Sequence, residues 1–174
     1  MKLFPYVILL LMSMAGVGCI NDESKTSEET TLVKLGDKAP NFTVELYPSG
    51  NISLSSLQGE VVLLTFWDPE CPTCRKEIAV VQQRIIDHFE GEEFHYLPIA
   101  RGQDYNSIKK FCTSNGYNFP VGIDPKREIY NLYASKYVPR SFIIDKQGFI
   151  RHIYVEYELS ELNSIISTIE QMLE

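Results

Sequence analysis

The sequence predicts an α/β sandwich. Three observations carry that expectation: a continuous apolar run, Val61 to Phe66 ("VVLLTF"); apolar stripes at helical spacing between strand-like runs; and a hairpin pattern followed by a final amphipathic helix. A length of 174 residues, 44% of them hydrophobic and 22% charged, allows one sizeable core and one domain.

The elements follow in chain order. Short alternating runs around Phe42 to Leu46 and Ile52 to Leu54, joined by "PSGN", form a hairpin signal. Val61 to Phe66 has no polar alternation, as expected of a parallel strand covered on both faces. From Thr73 to about Phe89, Ile78, Val81, Ile85, Ile86 and Phe89 make one core-facing stripe, so this stretch is a helix. Tyr96 to Ala100 is a further strand, Ser107 to Asn115 a helix stopped by Gly116, and Glu128 to Tyr133 a short helix. "SFIID", "KQG" and Phe149 to Val155 make the C-terminal hairpin. Ser160 to Leu173 closes the chain as a helix capped by Ser160, burying Leu162, Ile165, Ile166, Ile169 and Leu173. No repeat or low-complexity tract interrupts the chain after Leu35.

Ahead of this domain, residues 1–18 have the form of a secretory signal: one basic residue, Lys2, an apolar run from Leu3 to Met12, then small residues. Gly16 and Gly18 before Cys19 resemble a bacterial lipoprotein signal, in which that cysteine would be acylated and become the N-terminus; plain secretion is the alternative. Residues 19–34 are polar, acidic and without aromatics, the composition of a flexible tether. Residues 35–174 are then the folded domain, exported to the cell envelope, where disulfides can form. The net charge of −7 argues against nucleic acid and against electrostatic binding to an anionic membrane surface.

The stretch "TFWDPECPTCRKE" places Cys71 and Cys74 where the buried strand gives way to the helix. Cys71 stands at the first turn, with Pro72 at a position that tolerates a missing N–H. Unpaired N–H groups there favour negative charge, and such settings lower a cysteine pKa from about 8.5 to roughly 3.5–7.5. Cys74, one helical turn deeper, can reach the sulfur of Cys71 and release whatever partner it has bonded. Two other readings compete. A zinc site needs a second ligand pair, whereas His88, His95 and His152 are isolated and the other cysteines are Cys19 and Cys112. A purely structural bridge would close too small a loop to stabilise the fold much.

Together, "LGDKAPNFTV", "SLSSLQGEVVLLTFWDPECPTCRKE", "FPVGID" and "YVPRSFIIDKQGFI" resemble the thioredoxin-like, membrane-anchored thiol-disulfide oxidoreductases of the TlpA and ResA type, in the AhpC/TSA-Redoxin superfamily. The resemblance implies a thioredoxin fold: a central mixed β-sheet flanked by helices, with an extra N-terminal β-hairpin and a βα insertion before a cis-proline. It implies Cys71 as nucleophile, Cys74 as resolving cysteine, Pro139 as the cis-proline that exposes the backbone of Val138 to a substrate strand, and Trp67 as a wall of the site, a core residue, or both. Glu77 matches an acidic residue that some members place near the resolving cysteine. A partly buried carboxylate there would raise the thiol pKa or relay its proton, and a solvated first-turn glutamate is the alternative. The implied partners are disulfide-bearing proteins and a membrane thiol-electron donor, with the membrane itself reached through the lipid. No cofactor and no metal is implied.

Asp68 and Glu70 depart from the family pattern and put two acids beside the cysteine pair, where they should shape which partners dock. Cys112, next to Phe111, is expected to be a buried, inert thiol. A thiol peroxidase is a second reading, since "APNFTV" also resembles peroxiredoxins; Asp68 stands where they carry the threonine three residues before the reactive cysteine. A copper-delivery module is a third, requiring a distal histidine for which only His152 is available.

Overall fold

The computed structural model describes residues 29–156 and 161–174. The signal segment, Cys19, most of the tether and the Ser160 cap lie outside the described residues.

Seven strands form one mixed sheet in the order β2-β1-β5-β4-β3-β6-β7. They are β1 (Thr43–Tyr47), β2 (Asn51–Ser53), β3 (Val61–Trp67), β4 (Phe94–Arg101), β5 (Val121–Asp124), β6 (Arg140–Ile144) and β7 (Ile150–Val155). β3, β4 and β5 run parallel, and β1, β2, β6 and β7 add antiparallel pairings at the two sides. The helices are α1 (Pro72–Val81), α2 (Tyr105–Asn115), α3 (Tyr130–Tyr133) and α4 (Leu162–Leu173). This is the thioredoxin arrangement, with β1–β2 as the added hairpin and β5 with α3 as the insertion ahead of Pro139.

Every residue of β3 is buried. Val62, Leu64 and Phe66 face a cluster with Tyr130, Tyr133 and Phe142, whereas Val61 and Leu63 face α4 and Trp67 packs under α1. A strand packed on both faces has no room for polar alternation, which is why its sequence is an unbroken apolar run. At about 25 cal/mol per Å² of apolar surface removed from water, such a strand is a principal source of folding free energy.

The stripe from Ile78 to Phe89 does not lie on one regular α-helix. α1 ends at Val81 and passes into a π-helical turn, Gln82–Ile86, in which the Asp87 N–H bonds to the Gln82 carbonyl at 2.8 Å. The extra residue per turn carries the stripe from one cluster, with Ile78 and Val81, to the next, with Ile85 and Phe89. Ile86 is only half-buried.

α2 starts two residues earlier than the apolar pattern predicts, because the Asp104 carboxylate caps it by accepting the Ser107 N–H at 2.8 Å. Gly116 ends it in the left-handed conformation, φ 71°. α3 is a single turn of four residues; the Asp124 carboxylate accepts the Tyr130 N–H at 2.8 Å and the Ile129 N–H at 3.3 Å. Leu162, Ile165, Ile166 and Ile169 bury the inner face of α4, while Leu173 is only half-buried. Among the described residues no helix is long and apolar enough to cross a membrane.

Residues 29–34 have tether-like composition but pack on the domain. Val33 is buried, Thr31 bridges Ala134, and the Leu32 N–H bonds to the Tyr133 carbonyl at 2.9 Å. Apolar Val33 and a set of backbone partners on the α3 side hold this arm, neither of which average polarity reveals.

Candidate active site

The parallel strand β3 ends at Trp67, and a tight loop turns the chain into α1. Asp68 shapes that loop: its carboxylate accepts the Glu70 N–H at 2.9 Å and the Gln103 side-chain amide at 3.2 Å, and its carbonyl accepts the Cys71 N–H at 3.0 Å. Of the two acids flagged beside the cysteines, Asp68 is therefore part of the loop's framework and Glu70 is exposed.

Cys71 is the N-cap of α1 and Pro72 fills the first helical position. Its sulfur accepts the Cys74 N–H at 3.2 Å, lies 3.1 Å from Thr73 Oγ1, and can donate to the Val138 carbonyl at 3.6 Å. A cap is ordinarily Ser, Thr, Asp or Asn; here a sulfur takes that place and receives one of the helix's unpaired donors. Cys71 is half-buried, so its sulfur can be approached.

Cys74, one turn on, is fully buried. Burial pushes its thiol pKa far above the ordinary cysteine value, with its contact to Cys71 and the charge of Glu77 adding to the rise. Glu77 itself is 4% exposed, which removes the solvated first-turn alternative and places a carboxyl group inside the protein beside Cys74. Tyr96 shares this interior: burial is the main cause holding its phenol well above its usual range, and Glu77 and Cys74 act on it in the same direction. Beneath them, Thr65 and Ser141 face each other across β3 and β6 with their hydroxyls 2.8 Å apart.

Trp67 is 1% exposed and packs 5.3 Å from the Phe111 ring, in the cluster that contains Cys74 and against which Cys71 rests. It is a core residue of the cluster on which the cysteine pair packs. Cys112 belongs to the same cluster, buried, with its thiol pushed up to about 11 by burial.

Opposite the cysteines, the loop between α3 and β6 carries a cis peptide bond at Val138–Pro139. Tyr137 before it is left-handed, φ 69°, and its carbonyl accepts the Tyr130 hydroxyl at 2.8 Å. A non-glycine residue there costs about 1–3 kcal/mol, so the surrounding contacts must fix it. The structure thus brings Cys71, Cys74, Glu77, Trp67 and the Val138–Pro139 loop to one end of the sheet. Thr73 lies on the rim, while Gln103, also on the rim, and Tyr96 beneath carry no signal in the sequence. Only Thr73, within the spacer, carried a local signal.

The AhpC/TSA family model matches residues 35–153. The Bacillus cereus (strain ATCC 10987 / NRS 248) thiol-disulfide oxidoreductase ResA is 30% identical over 168 residues, covering 96% of this chain and 95% of that one. ResA of Bacillus subtilis (strain 168) is 29% identical over 142 residues, covering 82% and 77%. Among solved structures, a Bacteroides thetaiotaomicron protein provisionally named a protein disulfide isomerase superposes with a TM-score of 0.77 at 32% identity, over 83% of this chain and 92% of that one. A Chlorobium tepidum TLS thiol:disulfide interchange protein of the thioredoxin family, 22% identical, shares the fold at a TM-score of 0.69, over 82% and 99%. The chain therefore belongs to the AhpC/TSA family, beside the ResA thiol-disulfide oxidoreductases that it matches over most of its length.

Proposed function

We propose that Cys71 and Cys74 carry out thiol-disulfide exchange with other proteins, and that the direction is reductive. The protein is a thiol-disulfide oxidoreductase. The observation that carries the assignment is the inequality of the two sulfurs: one approachable at a helix end and facing the Val138 carbonyl, the other sealed one turn inside.

The proposed cycle begins with the Cys71 thiolate attacking one sulfur of a substrate disulfide; the other leaves as a thiolate, and a mixed disulfide joins Cys71 to the substrate. The Val138 backbone pairs with the substrate strand beside the reacting sulfurs. Cys74 then gives up its proton, with Glu77 as the nearby acceptor, and attacks Cys71 Sγ. The second substrate thiol is released, the Cys71–Cys74 disulfide forms, and two electrons have passed to the substrate. Trp67 holds the wall on which Cys71 rests.

A dithiol donor must restore the reduced pair, and we assign that role to a membrane thiol-electron carrier. Its motivation is the export signal, with Cys19 as lipid attachment and the following acidic residues as tether, placing the domain in the cell envelope. Reduction of insulin by the purified protein with a dithiol donor tests the activity, and loss of it in Cys71→Ser tests the assignment. Full activity of that variant would refute it.

A further inference from the structure

The side chain after the cis-proline belongs to a second structural system. Arg140 is completely buried. Its Nη1 donates to Thr31 Oγ1, and its Nη2 donates to Thr30 Oγ1 at 3.0 Å and to the Lys136 carbonyl at 2.8 Å. Its Nε has no hydrogen-bond partner among the described residues. One guanidinium thus bonds at once to the arm that precedes the domain and to the loop that faces Cys71.

The backbone ties the same two segments. The Ser135 N–H bonds to the Thr30 carbonyl at 2.9 Å, and Thr31 bridges Ala134. Farther along the loop, Tyr137 is held by the Tyr130 hydroxyl and the Pro139 carbonyl accepts the Glu156 N–H at 2.8 Å. Arm, loop and start of β6 therefore meet around Arg140.

A buried guanidinium is tolerated only while its hydrogen bonds are made. Burial disfavours its charge and Arg101 adds repulsion, whereas Tyr130 and Glu156 act the other way. If the two threonine hydroxyls were lost, the side chain would keep its charge and lose acceptors, and the chain next to Arg140 would have to move to give it others. That chain is the Val138–Pro139 loop.

We infer that residues Thr30 and Thr31 are positioning residues for the reaction: through Arg140 the N-terminal arm holds the Val138–Pro139 loop in the form that receives substrate. The inference rests on the reading of that loop as the substrate-pairing edge. The arm is therefore a strut of the active site as well as the end of the tether. It acts on binding of the substrate strand.

The test is the full chain carrying Thr30→Val and Thr31→Val, which removes both hydroxyls and keeps the side-chain shape. Amide hydrogen exchange is followed across residues 135–140, with the amides of β3 as a control for global unfolding. Exchange in the loop should quicken by about tenfold, the worth of hydrogen bonds to a charged group. KM for insulin should rise with kcat retained. Thr30→Ser with Thr31→Ser, which restores the hydroxyls, should behave as the parent. Unchanged loop exchange in the valine variant would overturn the strut whatever the kinetics show. Faster exchange with unchanged KM would leave the strut standing and overturn the assignment of the loop to substrate.

Discussion

Cys71 and Cys74 are the same residue type three positions apart, yet their surroundings are opposite. Cys71 caps the helix at the rim, half-buried and bonded by the Cys74 N–H. Cys74 lies on the floor, at 0% exposure, with a buried carboxyl group one further turn along. The helix sets a cap position and a core-facing position three residues apart, and the cluster around Trp67 buries the second. A sequential exchange needs that inequality, because the first sulfur must meet a foreign disulfide and the second must wait until its neighbour has been captured.

Breaking the rim has the largest expected effect. Cys71→Ser should lower insulin reduction by about a thousandfold or more, since serine cannot form the mixed disulfide. Breaking the floor separates the two steps: Cys74→Ala should still capture substrate and then accumulate a stable adduct, visible as a mass increase that dithiothreitol removes. An adduct that clears as fast as in the parent would show that Cys74 does not resolve it.

Glu77→Gln sharpens the comparison without removing either sulfur. The amide cannot take the Cys74 proton, so release of the mixed disulfide at neutral pH should slow by about tenfold, while capture by Cys71 keeps its rate. Single-turnover measurements across a pH series distinguish these steps.

A smaller effect concerns stability. The folded pKa values of Cys74 and Cys112 are both raised above the ordinary thiol value, chiefly by burial, that of Cys112 to about 11. The raised values contribute stability below pH 9; above it the unfolded chain sheds protons that the folded chain keeps, so stability falls as pH rises. Joining Cys71 to Cys74 removes the Cys74 share, leaving that of Cys112. The reduced protein should therefore lose stability more steeply than the oxidised one above pH 9, as followed by denaturant midpoints of both forms. Smallest of all, Thr73→Val, which removes the hydroxyl 3.1 Å from Cys71 Sγ, should change the capture rate by about two- to fivefold.

Much of the fold is legible in the sequence because its signals are local. The unbroken apolar run of β3, the turn between β6 and β7, and the cysteine spacing each depend on residues a few positions apart. The cis bond at Val138–Pro139 was accessible only through family resemblance. What stayed hidden depends on partners far along the chain. Thr30 and Thr31 look like tether until Arg140, more than a hundred residues later, is placed beside them. Gln103 reaches Asp68, and Tyr96 meets Glu77 and Cys74, only once β3 and β4 are paired. The π-helical turn after α1 is hidden because the three- and four-residue spacings of Ile78, Val81, Ile85 and Phe89 read as one α-helical stripe.

The most direct test of the rim-and-floor contrast is iodoacetamide labelling of the reduced, folded protein at neutral pH, mapped by mass spectrometry. Cys71 should be labelled first, with Cys74 unreactive until the protein is unfolded. Equal labelling of the two, or earlier labelling of Cys74, would contradict the account.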